Sequence, residues 1–259
     1  MTALILVLLL RTRWRNTAIE LTFLGTRGEI KIRSRRHFRH SALLVRLGQA
    51  RVMIDCGADW LDHQRRVDPT AIVITHAHGD HAAGLAKGAA CPVHATEETW
   101  CLLRHYPVSH RKAICHRQPF AIDAVSFEAF AVEHSLLAPA VGYRVSAGRV
   151  AFFYVPDLAS IHQRHDGLNG VALYIGDGAT FFRSMVRRRD HNEIGHAPIA
   201  TQLRWCQEEG VARAIFTHCG SEIVRSDARA VGARIRKLGL DHGVEACVAD
   251  DGLTLALGG

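Results

Sequence analysis

The sequence lacks the paired cysteines that bind structural zinc or build a disulfide framework. Its seven cysteines are scattered, odd in number, and include no Cys-x-x-Cys pair. Proline is scarce, at seven residues, and there is no low-complexity stretch or short internal repeat. These absences argue against a disulfide-stapled secreted domain, a disordered chain and a repeat protein. We therefore expect a folded protein of the reducing cytoplasm.

Long apolar runs are also missing. The apolar stretch at residues 3–10 is far too short to span a bilayer. No basic residue precedes it and no small-residue cleavage site follows it, so a secretory signal is not expected. We predict that residues 1–18 form a tail or an extra strand, and we expect no association with a membrane.

What the chain has is enough apolar residues for a core and an excess of basic residues. Its 259 residues are 48% hydrophobic, which suits one α/β or sandwich domain, predicted here over residues 19–259. The formal net charge is +7, with 17 histidines. A basic surface favours anionic partners such as phosphoesters or nucleic acid.

The hydrophobic pattern predicts strands in both halves of the chain, with helices between or after them. Strands are predicted at 19–24, 42–47, 52–54, 71–74, 93–95, 125–132, 141–145, 150–155, 171–175, 214–217 and 244–248. Helices are predicted at 97–105, 198–209 and 226–237, with another beginning at 82–87. This pattern suits an α/β fold in which two sheets pack together with helices outside, a four-layer αββα sandwich.

A dense run of ionisable residues follows the buried strand at 71–74. In Thr75-His76-Ala77-His78-Gly79-Asp80-His81, the alternate residues His76 and His78 can reach one ion. Asp80 and His81 can then serve a second ion nearby. Imidazole and carboxylate ligands suit Zn²⁺, with Mn²⁺ or Fe²⁺ as alternatives.

This run resembles the His-x-His-x-Asp-His motif of the metallo-β-lactamase superfamily, and the resemblance extends from about residue 19 to the end. The superfamily requires a further His, a bridging Asp and a last His, each after a strand. The chain has His134, Asp157 and His218 in that order. The resemblance implies a metallo-β-lactamase fold holding two divalent metal ions, with zinc expected.

The resemblance also assigns the ligands. The first metal is expected to take His76, His78 and His134, and Asp157 is expected to bridge the two metals. The second metal takes the remaining ligands, namely Asp80, His81 and His218. Asp80 is thus both a ligand and a candidate catalytic residue. Asp55, in Ile-Asp-Cys-Gly, matches an aspartate that supports the ligands from behind.

Gly195-His196-Ala197-Pro198 distinguishes between branches of the superfamily. It resembles the helix-opening histidine of the ribonuclease Z and cyclic-phosphate phosphodiesterase branch, which acts on the scissile phosphate. We therefore expect a phosphodiesterase in which a metal-bridging hydroxide attacks phosphorus while His196 assists the phosphate or the leaving group. The N-terminus of the helix is expected to favour an anion, and His191 and Glu193 are candidates to orient His196.

The sequence differs from known members of this branch in two ways, so the resemblance is to the branch and not to one of its members. His81 and His134 are 53 residues apart, and the interval predicts ordinary strands and helices rather than the long tRNA-gripping arm of ribonuclease Z. The cysteine-rich zinc loop of many bacterial cyclic-phosphate phosphodiesterases is also missing. The alternatives are a thioester or lactone hydrolase on the same metals, or a non-hydrolytic biosynthetic or binding member such as that of the pyrroloquinoline quinone pathway.

Two basic clusters complete the sequence analysis. One occupies residues 31–40 and the other is Arg187-Arg188-Arg189, and both can hold phosphate or remain solvated. Aromatic residues for base stacking are sparse near them. A small anionic or phosphodiester substrate is therefore expected in preference to nucleic acid. Many superfamily members dimerise, so the resemblance is compatible with a homodimer.

Overall fold

The computed structural model describes residues 18–258, so the expectation for the N-terminal segment falls, except for Ala18, outside the described residues. The strands are β1 (Ile19–Gly25), β2 (Ala42–Leu47), β3 (Ala50–Ile54), β4 (Ala71–Val73), β5 (Val93–Thr96), β6 (Arg111–Ile114), β7 (Phe120–Ile122), β8 (Val125–Glu133), β9 (Ala140–Ala147), β10 (Val150–Tyr154), β11 (Ser160–Ile161), β12 (Leu173–Asp177), β13 (Arg187–Arg189), β14 (Asn192–Ile194), β15 (Arg213–Thr217), β16 (Glu245–Val248) and β17 (Thr254–Leu257). The helices are α1 (Gln64–Val67), α2 (Gly79–Ala82), α3 (Glu97–Leu102), α4 (Arg164–Leu168), α5 (Ile199–Glu208), α6 (Ser221–Arg225) and α7 (Ala228–Asp241).

Two large sheets contain all these strands except β13 and β14. The first sheet has the order β17-β1-β2-β3-β4-β5-β6. The second has the order β11-β8-β9-β10-β12-β15-β16, with β7 added against β8. Strands β13 and β14 pair only with each other as a hairpin.

The two sheets pack face to face, and helices cover their outer faces. Phe23 and Val45 of the first sheet share a buried cluster with Phe127 and Tyr143 of the second. On the outer side of the second sheet, residues of α5 and α7 complete another buried cluster. Trp60 and Trp100 belong to a third cluster, outside the first sheet. The four-layer αββα sandwich predicted from the sequence is therefore confirmed.

Local sequence accounts for the principal elements. Every second residue of β1 is fully buried, which is the period of a strand with one face in the core. The Thr96 side chain accepts a hydrogen bond from the backbone N–H of Thr99 and so caps α3. Asp227 caps α7 by accepting from the N–H groups of Arg229 and Ala230. Helix α7 therefore begins after Asp227, two residues later than predicted.

The loop between β4 and α2 is held between the sheets. The Tyr143 hydroxyl donates to the carbonyl of Ile74 at 2.7 Å, and the Val141 N–H donates to the carbonyl of Thr75 at 3.1 Å. Helix α2 begins at Gly79, earlier than the predicted start at 82, because His78 is extended immediately before it. The metal motif thus spans an extended segment and one helical turn.

Several short elements were absent from the sequence prediction. These are β6, β7, β11, β13, β14, β17, α1, α4 and α6. Most are three to five residues long and lie at a sheet edge or on the surface, where there is little hydrophobic periodicity to detect. Within residues 18–258 no helix combines the length and apolarity needed to cross a membrane. All seven cysteines lie in this range and none forms a disulfide.

Candidate metal centre

The predicted ligands lie where strands of the two sheets end. Strands β10, β12 and β15 are parallel neighbours, so their carboxyl ends share one edge of the second sheet. Asp157, Asp177 and His218 follow or end these strands at that edge. His134 follows β8 of the same sheet, and the run 76–81 follows β4 of the first sheet. The centre therefore lies between the two sheets.

One group of ligand atoms comes from His76, His78, His134 and Asp157, and these atoms all lie within 4.8 Å of one another. The Nδ1 atom of His78 is 2.9 Å from Nε2 of His76 and 3.2 Å from Nε2 of His134. The Asp157 carboxylate lies 3.3 Å from Nε2 of His134. Three imidazole nitrogens and one carboxylate thus surround a space suited to a cation.

A second group comes from Asp80, His81, His218 and Asp157, again within 4.8 Å of one another. The Asp80 carboxylate is 3.2 Å from Nε2 of His81 and 3.1 Å from Nε2 of His218. The Asp157 carboxylate is 3.3 Å from the same His81 nitrogen. Asp157 is common to both groups, so its carboxylate lies where the two groups meet.

The buried donor set fits divalent metal ions. His81 Nε2, Asp157 Oδ1 and His218 Nδ1 are buried and have no hydrogen-bond partner. The last two approach to 2.7 Å without hydrogen-bond geometry. Leaving buried polar atoms unpartnered is costly, and a cation at each position supplies the missing interactions.

The charge states of His76 and Asp157 suit metal ligation. Burial, together with His81 and His134, lowers the pKa of His76 well below its ordinary value, so this imidazole is neutral. Burial opposes ionisation of Asp157, but His218, His134 and His81 hold its pKa well below the ordinary carboxyl value. The centre therefore offers a neutral imidazole and an ionised bridging carboxylate, which are the forms that bind metals.

Asp55 supports the ligands from behind. Its Oδ1 accepts hydrogen bonds from the N–H of Thr75 at 2.8 Å and the hydroxyl of Thr75 at 2.9 Å. Its Oδ2 lies 2.9 Å from Nδ1 of His81, which directs the other nitrogen of that ring into the centre. Gly57 lies two residues after Asp55, and a Cβ at this position would lie 1.8 Å from the carbonyl oxygen of Asp80. Only glycine permits this approach.

His196 lies beside both ligand groups. Its ring is 5.2 Å from the His134 ring and 5.6 Å from the His218 ring, measured between centroids. Its Nδ1 is 2.7 Å from the carboxylate of Asp177. Burial favours the neutral imidazole, but Asp177 outweighs it and raises the pKa of His196. His196 is thus held by a buried carboxylate at the edge of the metal centre.

Two expectations about His196 are wrong. Asp177 orients it, whereas Glu193 pairs with the exposed Arg188 in the β13–β14 hairpin. The N-terminus of α5 is not free for an anion, because the N–H groups of Ile199 and Ala200 donate to the carbonyls of residues 180 and 181. Sequence analysis missed Asp177 because it is a single residue at the end of a strand, outside any motif. The signal that could have identified it is that the neighbouring strands also end in site residues.

The basic segment 26–40 contributes Gly28, Glu29, Ile30 and His40 to the site, but none of its arginines. Arg33 pairs with Asp59 at 2.7 Å and Arg36 with Asp250 at 2.5 Å. A cavity of about 880 Å³ opens over the metal ligands. Its other lining residues include Gly28, Glu29, Ile30, His40, Thr180, Arg183, Met185, His196 and Glu222.

The β13–β14 hairpin is flanked by two residues that line this cavity, Met185 and His196. Its three consecutive arginines, 187–189, are exposed. The N–H of Met185 donates to the carbonyl of His196, and the N–H of Gly195 donates to the carbonyl of His134. The two ends of the hairpin are therefore attached to the metal centre.

Comparisons with known proteins agree with this geometry. The family model described as a β-lactamase superfamily domain matches residues 50–219. Among solved structures, the metallo-β-lactamase fold protein YhfI from Bacillus subtilis is similar, with a TM-score of 0.72 and 16% identity over 92% of this chain and 99% of that chain. No characterised protein sequence matches significantly.

Two further structures are similar across nearly their whole length. A diphosphatase from the PhnP family has a TM-score of 0.68 and 19% identity, over 93% of this chain and 98% of that chain. Zinc-bound PqqB from Methylobacterium extorquens has a TM-score of 0.71 and 18% identity, over 92% of this chain and 100% of that chain. At these identities the likeness establishes the fold.

Proposed function

The chain belongs to the β-lactamase superfamily, and from that premise we propose that it is a dinuclear, zinc-dependent phosphodiesterase. The observation that carries this proposal is the Asp177–His196 pair beside the two ligand groups. A hydrolase of the same fold that acts on a neutral lactone or thioester has less need of a protonated donor there. A phosphodiester needs one, because charge accumulates on its oxygens and its leaving oxygen requires a proton.

We propose that each of the two groups of ligand atoms binds one metal ion. His76, His78 and His134 hold one cation, the second group holds the other, and Asp157 bridges them. When bound, two divalent cations supply a water of lowered pKa as nucleophile and neutralise charge on the phosphoryl oxygens. The imidazole-rich donor set favours zinc.

We propose that His196 donates a hydrogen bond or a proton to the phosphate of the substrate. Asp177 accepts a hydrogen bond from its Nδ1, which leaves Nε2 free to donate to a bound phosphate when the ring is protonated. The raised pKa of His196 keeps a proton available for a phosphoryl oxygen or the leaving oxygen. The Asp80 carboxylate, between His81 and His218, is proposed to orient the reacting water as well as bind metal.

The cavity lining favours a small substrate with one phosphodiester. Besides the metal ligands, it includes one arginine, Arg183, and two carboxylates, Glu29 and Glu222. A polynucleotide would bring several phosphates close to these carboxylates, which repel them. We therefore propose a small anionic diester as the partner, in a cytoplasmic enzyme.

Hydrolysis of bis(p-nitrophenyl) phosphate by zinc-loaded protein tests this function, beside a thioester and a lactone. The p-nitrophenolate leaving group needs no proton, so this substrate reports the donor to the phosphoryl oxygen, and we expect diester turnover to fall by about 10²-fold in His196→Ala. His165→Ala is the matched control, because His165 is exposed and lies outside the cavity lining. Turnover of the thioester or lactone instead, or diester turnover indifferent to His196, would reject the phosphodiesterase.

A further inference from the structure

His40 is a second histidine in the wall of the metal cavity, and the metal centre does not use it. Its side chain is only 7% exposed and lines the cavity together with Asp80 and residues 28–30. It lies on the wall beside the second ligand group, whereas His196 packs against His134 and His218. Sequence analysis placed it in a basic loop and gave it no role.

The position of the His40 ring is fixed by contacts with one short turn, residues 58–60. The His40 N–H donates to Oδ2 of Asp59 at 2.9 Å, and the indole N–H of Trp60 donates to the His40 carbonyl at 3.2 Å. The Asp59 N–H donates to Nδ1 of the His40 ring at 3.4 Å. The backbone N–H, the backbone carbonyl and one ring nitrogen of His40 therefore each have a hydrogen-bond partner in this turn.

These contacts also place the ring proton. Because Nδ1 accepts from a backbone N–H, the proton of the neutral ring resides on Nε2. Asp59 Oδ2 is 3.2 Å from Nδ1 but outside hydrogen-bond geometry, and it already accepts from Arg27 and from the His40 N–H. The donor N–H of His40 is thus on the nitrogen that faces the cavity.

A buried arginine braces this arrangement. Arg27 is 2% exposed and donates to Asp59 Oδ2 at 2.5 Å. It also donates to the carbonyls of Gly28, Ile30 and Phe38, so one guanidinium joins the cavity wall to the turn that holds His40. A buried guanidinium is destabilising unless its N–H groups are paired, and these hydrogen bonds pair that of Arg27 and connect the cavity wall to the turn.

The His40 ring is a neutral donor. Burial and the Arg27 charge lower the pKa of His40 to about 4, against a smaller opposing effect of Asp59. The nearest acidic group to Nε2 is the Glu29 carboxylate, 3.6 Å away on a side chain that is 72% exposed. Nε2 makes no hydrogen bond to the described protein, so its N–H is available to a molecule in the cavity.

We propose that the Nε2–H of His40 donates a hydrogen bond to a phosphoryl oxygen of the bound diester, as a second protein donor besides His196. This proposal rests on the proposed function and adds a substrate-binding residue to it. His40 transfers no proton; it stabilises negative charge as that charge grows on the oxygen. Arg27 and Asp59 are positioning residues that act through it.

Three substitutions test the proposal by kinetics on bis(p-nitrophenyl) phosphate. His40→Ala removes the donor, and we expect kcat to fall about 10²-fold with a smaller change in KM, as for a lost oxyanion donor. His40→Gln returns an N–H close to the position of Nε2 and should recover most of kcat. His40→Asn places its amide near Nδ1 and should resemble His40→Ala. Equal losses in all three variants, or turnover within twofold of wild type in His40→Ala, overturn the proposal.

Two further measurements separate this outcome from loss of the fold and from failure of the phosphodiesterase. Zinc content and the midpoint of thermal unfolding should match wild type in His40→Gln. In ¹⁵N-labelled zinc-loaded protein, added inorganic phosphate should shift the ring ¹⁵N resonance of His40 Nε2 and leave the ring ¹⁵N resonances of the exposed His165 unchanged. Absence of diester turnover in wild type rejects the proposed function alone, whereas an unshifted His40 resonance rejects the assignment of His40.

Discussion

Individual residues adapt this common fold to its metal centre through two kinds of close contact. Asp55 and Asp177 each accept a hydrogen bond from an imidazole nitrogen and so direct the other nitrogen of that ring toward the cavity. Glycines supply the second kind, because Gly28 and Gly57 allow backbone to lie against the ligands His218 and Asp80. Both kinds of contact fix the orientation of a metal ligand or of a hydrogen-bond donor. Single substitutions at these residues should therefore have measurable effects on zinc binding or turnover.

Asp177→Asn should lower diester turnover while leaving zinc content unchanged. The amide cannot hold the positive charge of His196 as the carboxylate does, and its NH₂ group can present the wrong partner to Nδ1. We expect kcat to fall by at least about tenfold, toward the level of His196→Ala. Because both residues act as one unit, the double variant should be no slower than His196→Ala. Additive losses would show that Asp177 acts separately.

Gly28→Ala should weaken zinc binding. A Cβ at Gly28 would lie 3.0–3.2 Å from three atoms of the His218 ring, closer than ordinary contact, so the ring must move. Displacing a ligand in this way should lower zinc affinity about 10–100-fold, the range known for disturbed ligand orientation. Competition with a chromogenic chelator measures this. Gly232→Ala in helix α7 meets only the flexible end of Arg236 and should bind zinc as wild type does.

At the scale of elements, the strands with a clear apolar run or alternation were predictable, whereas the charged strand and several of the shortest ones were not. Strands β1, β2, β8, β9 and β15 follow from their hydrophobic patterns. The β13 segment is three arginines, which carry no core-facing period, and its hairpin forms through backbone pairing with β14. The metal run was recognisable because its ligands are adjacent in sequence, whereas Asp177 and His40 reach the site only through tertiary contacts.

The buried Gln202 of α5 connects this helix to β12, and Gln202→Leu should destabilise the fold. Its side chain donates to the carbonyls of Asp177 and Ala197, both at 2.8 Å. It accepts from the Tyr174 hydroxyl and the Asp177 N–H, both at 2.9 Å. Leucine leaves these groups unpaired, so unfolding in urea should show a loss of about 3 kcal/mol or more. The exposed Gln207→Leu on the same helix should change stability by less than about 0.5 kcal/mol.

The connection from the hairpin to His196 gives a second prediction at this scale, Gly195→Ala. Gly195 has φ +105°, and a Cβ there would lie 2.2 Å from the carbonyl oxygen of Met185, which is the base of the hairpin. The next residue is His196, so we expect a loss of diester turnover beyond any loss of stability. Gly170→Ala is the control, because Gly170 has φ +69° but open space around it. Gly170→Ala should lose about 1 kcal/mol of stability and no activity, whereas Gly195→Ala should lose more stability and also lose activity.

At the scale of the whole molecule, the metal centre lies between two layers that are held together mainly by apolar packing. Its ligands come from the loop after β4 in the first sheet and from the ends of β8, β10 and β15 in the second. Few hydrogen bonds cross between the sheets at this point, and those of Tyr143 and Val141 lie beside the ligand run. Bound metal should therefore stabilise the sandwich as a unit rather than only one loop.

Removal of the metal should accordingly lower the temperature of global unfolding. Binding only to the folded state adds about 2.7 kcal/mol when free zinc is 100 times the dissociation constant, which for a chain of this size is roughly 5–10 °C. Differential scanning calorimetry across a series of buffered zinc concentrations measures this shift. His76→Ala combined with His218→Ala removes a ligand from each group and should make the midpoint insensitive to zinc. If stripped and zinc-loaded wild type unfold at the same temperature, the ligands do not join the two sheets energetically, and the centre is a local feature of its loops.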